Sequence, residues 1–114
     1  MKQSKAWKAF ERRVAYFWGT VRTALSGSNS KVTGSDTHHP RLFLECKLNA
    51  KSPFWRLYEK ALPVAKKEKK VVVLCLAKKN HEGHIIAFHS NDVDVFVEEY
   101  LKRKGTCQEA TESV

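Results

Sequence analysis

The chain has 114 residues, a length that suits one domain of ordinary size around a single hydrophobic core. Its hydrophobic content of 42% argues against general disorder, and no apolar stretch approaches the roughly 20 residues that cross a bilayer. The N-terminal "MKQSKAWKAFERR" lacks the apolar centre of a signal peptide, so we expect no membrane partner.

The positive charge is concentrated in the first two thirds of the chain. The net charge is +9, but residues 1–81 carry 18 basic and 5 acidic side chains, whereas residues 82–114 carry 3 basic and 7 acidic ones. Such a field favours a polyanion on one side of the molecule. The uneven distribution favours nucleic acid as the partner over a charge that serves only solubility.

Cysteine usage predicts a reducing environment. Cys46, Cys75 and Cys107 are odd in number and far apart, and the chain contains no C-x-x-C. Neither a disulfide framework nor a thiolate zinc site is therefore expected, and a cytoplasmic location is the resulting prediction.

The first half of the chain predicts a helix, an irregular segment and a strand. Ser4 can cap a helix that runs until Gly19 ends it. Residues 20–37, rich in Ser, Thr and Gly, predict one or two short strands joined by a mobile turn around residues 27–30. Residues 41–48, "RLFLECKL", alternate as a strand. The apolar stripe of the helix consists of Trp7, Phe10, Val14, Phe17 and Trp18.

The second half begins with a helix and two strands. Pro53 at the first helical position starts a helix that kinks or restarts at Pro63. Residues 71–77, "VVVLCLA", are apolar on both faces and predict a central strand, and residues 84–90 predict another after a turn. The buried stripe predicted for this second helix is Phe54, Tyr58, Ala61, Leu62 and Ala65.

Asn91 can cap a last helix that Gly105 ends, and the polar tail of residues 106–114 is expected to be flexible. The side chains predicted to face inward from this helix are Val93, Phe96, Val97, Tyr100 and Leu101. The order of elements predicts a single α/β domain over residues 1–105, with a central mixed β-sheet flanked by helices.

The strand at residues 41–48 carries two opposite charges on one face. Since side chains alternate across a strand, Phe43, Glu45 and Lys47 point the same way. Asp36 lies nine residues before Glu45, and an antiparallel return of the chain would bring the two carboxylates together. A hard divalent cation relieves the repulsion of such a pair, and Mg²⁺ is commonly held by one or two carboxylates with waters and phosphate oxygens.

Two carboxylates followed by a lysine suit the metal-assisted hydrolysis of a phosphodiester. The metal polarises the phosphate and produces hydroxide from bound water. A nearby ammonium, here that of Lys47, orients this water or stabilises the phosphate. Glu-x-Lys alone is a weak signal, and the alternative is an ordinary ion pair on a half-exposed strand.

Glu11 strengthens the case because it falls inside the apolar stripe of the first helix. A carboxylate is rare there unless it has a partner. The alternative is a glutamate at the edge of the stripe that pairs with Lys8. A functional role is favoured, because the stripe that docks the helix would aim Glu11 at the sheet.

These motifs together resemble a known family. "FERRVA", "R…SGS", "GSD" and "LECK" are similar to motifs of the PD-(D/E)XK nuclease superfamily, and within it of the archaeal-type Holliday junction resolvases, which some phages also carry. The resemblance covers residues 7 to about 104. It implies a restriction-endonuclease-like fold and a homodimer that binds Mg²⁺ or Mn²⁺ and nicks four-way DNA junctions symmetrically, in the host cytoplasm if a phage encodes it.

The resemblance assigns roles to matching residues. Glu11, Asp36, Glu45 and Lys47 match the catalytic set. Asp36 and Glu45 match the metal carboxylates, with the main-chain carbonyl of Cys46 as a further ligand and Glu11 as a candidate one. The short interval from Asp36 to Glu45, which holds His38-His39-Pro40, departs from the family's plainer hairpin.

The predicted DNA-binding residues come from the same region. Arg12, Arg22 and Ser26 match basic or phosphate-proximal positions of the family. The small hydroxyl-rich loop "SGSNSK" at residues 26–31 fits phosphate contact, which adds Ser28 and Lys31. Lys51 completes the predicted set.

Several alternatives remain open at this point. The chain is either a nuclease of the same superfamily for nicked, branched or ordinary duplex DNA, or a non-catalytic basic DNA-binding module. His81, His84 and His89 are expected to be surface or packing residues, with the last two on opposite faces of a strand. His38 and His39 are candidates for contact with DNA or metal. Apolar side chains near Trp55, Tyr58 and Pro63 are candidates for a dimer surface.

Overall fold

The computed structural model describes residues 5–23, 34–49, 51 and 53–111. Three helices and three strands are described in these ranges: helix α1 Lys5–Phe17, strand β1 Leu42–Leu48, helix α2 Phe54–Lys67, strand β2 Val71–Ala77, strand β3 Ile85–Phe88 and helix α3 Val93–Thr111. None of the described helices combines the length and apolarity needed to cross a bilayer.

The strands form one mixed sheet in the order β1-β2-β3. β1 and β2 run parallel, with Leu42 opposite Val71 and Leu48 opposite Ala77, and α2 is the crossover between them. β3 returns antiparallel to β2. The predicted α/β fold with a central mixed sheet is therefore confirmed, and β2 is its central strand as its apolar sequence indicates.

Each face of the sheet is covered by helix. One layer, built by α1, α3 and one face of the sheet, has a buried core of Phe10, Val14, Trp18, Leu42, Leu44, Cys46, Val73 and Cys75. The other layer, built by α2 and the opposite face, has a buried core of Phe43, Leu57, Ala61, Ala65, Val72, Leu74 and Leu76. The alternation of β1 decides which of its side chains meets which helix.

The first helix ends where the sequence predicts. α1 runs from Lys5 to Phe17, and Gly19 follows in the left-handed region with φ +68°. A glycine is favoured there because it has no Cβ to clash. The backbone N–H of Thr20 then bonds the carbonyl of Ala15, which closes the helix end.

The face predicted for the second helix is partly wrong. Phe54 is 57% exposed, and Leu57 is buried in its place. Pro53 precedes the helix in an extended conformation, and α2 continues through Pro63 without restarting. A proline inside a helix loses one backbone hydrogen bond. The helix tolerates this loss because Pro63 faces solvent, while Ala61 and Ala65 pack the helix on the sheet.

The predicted start and end of the last helix are also corrected. A 3₁₀ turn over Ser90–Asp92 precedes α3. The cap of this turn is His89, whose ring Nδ1 accepts a hydrogen bond from the N–H of Asn91, and not Asn91 itself. α3 continues past Gly105 to Thr111, since one glycine costs a helix only about 1 kcal/mol. The side chains that pack inward are Val95, Phe96 and Tyr100, whereas Val93, Val97 and Leu101 are exposed.

A short segment covers the edge of β1 that β2 leaves open. The Ser35 hydroxyl accepts from the Leu44 N–H at 2.9 Å, and the Asp36 N–H bonds the Leu44 carbonyl at 3.0 Å. Of the short strands predicted in residues 20–37, the described residues show one antiparallel bridge, between Arg22 and Thr37. The predicted turn at residues 27–30 lies outside the described residues.

His39, a candidate for contact with DNA or metal, instead binds the backbone at the start of β1. Its side chain is buried, and Nδ1 accepts hydrogen bonds from the backbone N–H groups of Arg41 and Leu42, both at 3.1 Å. Its ring meets the edge of Trp18, and Nε2 lies 3.7 Å from Oε1 of Glu99. Burial lowers the pKa of His39, which favours the neutral ring that this acceptor role requires.

We predict that His39→Ala lowers the free energy of unfolding by about 2–4 kcal/mol, because the buried N–H of Leu42 and the partly buried N–H of Arg41 lose their acceptor and the ring leaves a cavity. Urea denaturation at pH 7.5 measures the change. His38→Ala is the matched control, with an expected loss below about 1 kcal/mol. Equal losses in the two variants would contradict this role for His39.

Candidate active site

A pocket at the edge of β1 brings together the four predicted catalytic side chains. Its volume is about 280 Å³, and Glu11, Asp36, Glu45 and Lys47 all line it. They come from three parts of the chain: α1, the segment that covers the edge, and β1 itself. The remaining lining residues are Trp7, Gly34, Phe43, Cys46, Lys60, Ala61 and Val64.

Glu45 and Lys47 point to the same side of β1, as the period of a strand predicts. Oε2 of Glu45 lies 3.5 Å from Nζ of Lys47, and the two side chains are 24% and 31% exposed. The ordinary ion pair of the alternative interpretation is therefore present. Its setting is unusual, because a surface pair of this kind has no need of further carboxylates in the same pocket.

Asp36 completes the edge of β1 with its side chain. Its Oδ2 accepts the backbone N–H of Cys46 at 2.7 Å, and the residue is only 7% exposed. The N–H and C=O of one strand residue point to the same side, so the Cys46 carbonyl faces this edge too. An asparagine oxygen would accept the same hydrogen bond. The edge therefore explains the position of Asp36 but not its charge.

The electrostatics of the two carboxyl groups favour a cation. The pKa of Asp36 is raised to about 8, first by burial and then by the charge of Glu45, against the lowering effect of the hydrogen bond from Cys46. Burial also raises the pKa of Glu45, against the influence of Lys47. Both shifts mean that the ionised pair is unfavourable as it stands, and a bound cation would relieve that cost.

Glu11 is fully buried, as its place in the apolar stripe predicts. Its Oε1 accepts Nε of Arg22 at 2.6 Å, and its Oε2 accepts the indole N–H of Trp7 at 2.8 Å. The cation beside it is therefore Arg22, not Lys8. Arg22 pairs with Glu11 and keeps 16% of its side chain exposed, and its contact with DNA stays a prediction.

The oxygen donors at this pocket fit a hard divalent cation. Within the described ranges, no group of three or more His, Cys, Asp and Glu side chains is arranged to hold a metal ion. A cation here would rest on Asp36, Glu45 and the Cys46 carbonyl, with water and phosphate oxygens as its other ligands. Mg²⁺ is commonly held in this way. The role of Glu11 as a ligand stays a prediction.

Two of the other predicted DNA-binding residues, Arg12 and Lys51, are described, and neither lines the pocket. Arg12 is exposed on α1, and Lys51 is exposed beside a neighbouring groove. Ser26, Ser28 and Lys31 lie outside the described residues. The same is true of the whole hydroxyl-rich loop, residues 26–31, to which they belong.

Sequence reasoning missed two lining residues. Trp7 lies one helical turn before Glu11, and its ring centroid is 5.8 Å from Nζ of Lys47, so it contacts both charges. Helical spacing from Glu11 could have identified it. Lys60 enters from α2, and its effect on Glu45 is to lower that pKa. No local pattern around Lys60 predicts this position, which depends on how α2 docks.

The histidines behave as packing residues. His84 contacts the rings of Phe10 and Phe17 on the α1 side of the sheet. His89 stacks on Tyr58 on the α2 side. The prediction that these two histidines lie on opposite faces is therefore confirmed, and neither lines the carboxylate pocket.

Comparison with known proteins leaves the family open. A scan against protein-family models, a search of curated proteins and a search of solved structures each returned no match. The nuclease assignment therefore depends on the motifs of the sequence and on the geometry of the pocket.

We predict that Asp36→Asn raises the free energy of unfolding at pH 8 without metal. The folded-state pKa of about 8 lies above the ordinary value of 3.8, so between these values the folded protein keeps a proton that the unfolded chain loses. Wild-type stability therefore falls as pH rises through this window, by an amount on the order of a few kcal/mol.

Denaturation of both proteins in EDTA at pH 4, 6 and 8 measures this effect. The gain from Asp36→Asn should be small at pH 4 and largest at pH 8. The titration of His39 is common to both proteins and cancels in the difference. A variant that is less stable than wild type at pH 8 would show that the charge of Asp36 is needed for folding.

Proposed function

We propose that this protein is a metal-dependent DNA endonuclease with a restriction-endonuclease-like fold, and that it acts as a homodimeric Holliday junction resolvase. The observation that carries the proposal is the convergence of Glu11, Asp36, Glu45 and Lys47 on one pocket. These residues come from positions 36 apart at the extremes, so no local pattern accounts for their meeting. The basic first two thirds of the chain supply attraction to DNA.

The chain's own residues have distinct tasks in this proposal. Asp36, Glu45 and the Cys46 carbonyl would hold Mg²⁺ or Mn²⁺, which would polarise the phosphate and acidify a bound water. The ammonium of Lys47, 3.5 Å from Glu45, orients the attacking water or stabilises charge on the phosphate. Trp7 and Arg22 fix the carboxylate of Glu11 at the pocket wall.

The fold supports the same proposal. The restriction-endonuclease-like core that the resemblance implies has a mixed sheet flanked by helices, and this chain has a three-stranded mixed sheet between α1 with α3 and α2. Glu45 lies on the edge strand β1 and Asp36 on the segment that covers it, so the pocket is at the border of the sheet. In this proposal the duplex approaches the pocket at that border and does not enter a closed cavity.

A non-catalytic DNA-binding module is the alternative of a different class. A module without chemistry has no use for two carboxyl groups whose pKa values are both raised by burial. Asparagine and glutamine would preserve the edge hydrogen bond and the packing at lower cost. The retained charges favour the enzyme. A nuclease for other branched or duplex DNA shares this pocket and differs only in its substrate.

The resolvase form of the proposal requires two chains. Resolution of a junction needs two cuts, and the described part of one chain holds one such carboxylate pocket. Phe54 and Trp55 are 57% and 65% exposed, and with Tyr58 and His89 they border an apolar groove of about 230 Å³ between α2 and β3. Exposed aromatic surface of this kind favours association, and a two-fold dimer matches a two-fold junction.

We predict cleavage of labelled DNA with Mg²⁺ or Mn²⁺ and none with EDTA. Asp36→Asn, Glu45→Gln and Lys47→Ala should each reduce the cleavage rate by about a hundredfold or more, because each removes a group at the reacting phosphate. DNA binding should survive, since the basic surface is intact. Cleavage rates and gel-shift affinities measure the two properties separately.

Glu59→Gln and Lys66→Ala are matched controls on the exposed face of α2, and both should cut at the wild-type rate. Full activity in Asp36→Asn or Glu45→Gln would refute the metal site. Full activity in Lys47→Ala would reduce Glu45 and Lys47 to a surface ion pair.

We also predict a dimer in solution that binds a four-way junction at least about ten times more tightly than linear duplex of the same length, or roughly 1.4 kcal/mol. Light scattering gives the mass, and a competition gel gives the preference. Trp55→Glu should yield the monomer mass, whereas Arg56→Glu, its exposed neighbour, serves as the control for added charge. A wild-type monomer, or equal affinity for junction and duplex, would remove the resolvase assignment and leave the general nuclease standing.

A further inference from the structure

The turn that joins β2 to β3 projects between two grooves. Residues 78–83, which we name the β2–β3 ridge, are all exposed. A groove of about 640 Å³ separates the ridge from α1, and a groove of about 730 Å³ separates it from the chain that follows β1. The ridge therefore offers a protruding surface with room for a polymer on each side.

The ridge is held by specific hydrogen bonds. Oδ1 of Asn49 accepts the N–H of Lys79 at 2.9 Å, and the N–H of Asn49 bonds the carbonyl of Ala77 at 2.8 Å. The N–H of His81 bonds the carbonyl of Lys78 at 3.1 Å. Asn80 is left-handed, with φ 66°. These bonds fix the backbone from which the ridge side chains project.

The charge of this surface is almost entirely positive. Lys78 and Lys79 lie on the ridge, Arg13 lines the groove on the α1 side, and Lys51 lines the other groove. Among the residues that line the two grooves, Glu82 is the single acid. Four cations against one anion on the ridge and its two grooves attract a polyanion more than they stabilise the fold, since exposed lysines contribute little to stability.

The ridge adjoins the carboxylate pocket. The register of the sheet pairs Lys47 with Leu76. Lys78, the first residue of the ridge, therefore lies two residues, or about 7 Å, beyond that pair along the strands. Consecutive residues of β1 and its end connect the surfaces: Lys47 lines the pocket, Leu48 the first groove and Asn49 the second. A strand of DNA with a phosphate at the pocket would place its next phosphates near the ridge.

We propose that the β2–β3 ridge, with Arg13 and Lys51, is a phosphate-contacting surface that holds the backbone of DNA beside the carboxylate pocket without reading its sequence. The identity of the polyanion as DNA rests on the proposed function. Flexible lysine side chains act as point charges, which suits backbone contact better than the recognition of base edges. The ridge therefore contributes affinity and salt dependence rather than sequence specificity.

The test compares the double variant Lys78→Gln, Lys79→Gln with the control Lys66→Gln, Lys67→Gln. The control removes the same charge from exposed lysines of α2 that line neither groove. Binding to a fluorescent duplex and to a four-way junction is measured in EDTA between about 50 and 200 mM salt. Loss of two phosphate contacts should flatten the slope of log K against log salt by roughly 1.8.

The ridge variant should also bind about tenfold more weakly at the lowest salt, while the control keeps the wild-type slope. Equal slopes in the two variants, or a wild-type protein that binds no DNA, would overturn the proposal. Cleavage by the wild-type protein with Mg²⁺ or Mn²⁺ is scored separately. DNA binding that depends on the ridge, without any cleavage, would refute the nuclease and support the ridge. Cleavage by the wild type, together with a ridge variant that keeps the wild-type salt slope, would refute the ridge and support the nuclease.

Discussion

The hydrogen bond from the Cys46 N–H to the carboxylate of Asp36 is the contact on which the site depends. β1 is an edge strand, and its open side must be covered or it would leave backbone groups unpaired. Ser35 and Asp36 provide that cover with side-chain oxygens as well as backbone. Because Asp36 is bound to the strand that carries Glu45, closing the edge also places the two carboxylates in one pocket.

Folding and chemistry are therefore difficult to separate in this protein. Glu11 docks inside the core of α1, and its charge is met by Arg22 at 2.6 Å, so removing either partner leaves the other charge without that contact. Breaking a buried pair costs about 3–5 kcal/mol. A loss of activity on mutating Glu11 would therefore combine a loss of stability with a loss of chemistry. Asp36 differs, because asparagine can preserve its hydrogen bond while it removes the charge.

Much of the site could be predicted from local periodicity. The period of two in β1 puts Glu45 beside Lys47, and the period of 3.6 in α1 puts Glu11 among core residues. The partners of these residues could not be predicted, because Arg22 meets Glu11 and Ser35 meets Leu44 only after the chain has folded back. The predicted helix ends were wrong for a related reason. The last helix continues past Gly105, because packing and neighbouring turns outweigh the cost of a single glycine.

The central claim is that Asp36 and Glu45 hold a divalent cation, and calorimetric titration of Mg²⁺ or Mn²⁺ at pH 7 tests it most directly. With a pKa of about 8, Asp36 is largely protonated before the metal binds. Binding should therefore release close to one proton, seen as heats that change with the ionisation enthalpy of the buffer. Asp36→Asn should lose both the binding and the proton. Heats that are the same in wild type and Asp36→Asn, or no binding by wild type at millimolar metal, would contradict the account.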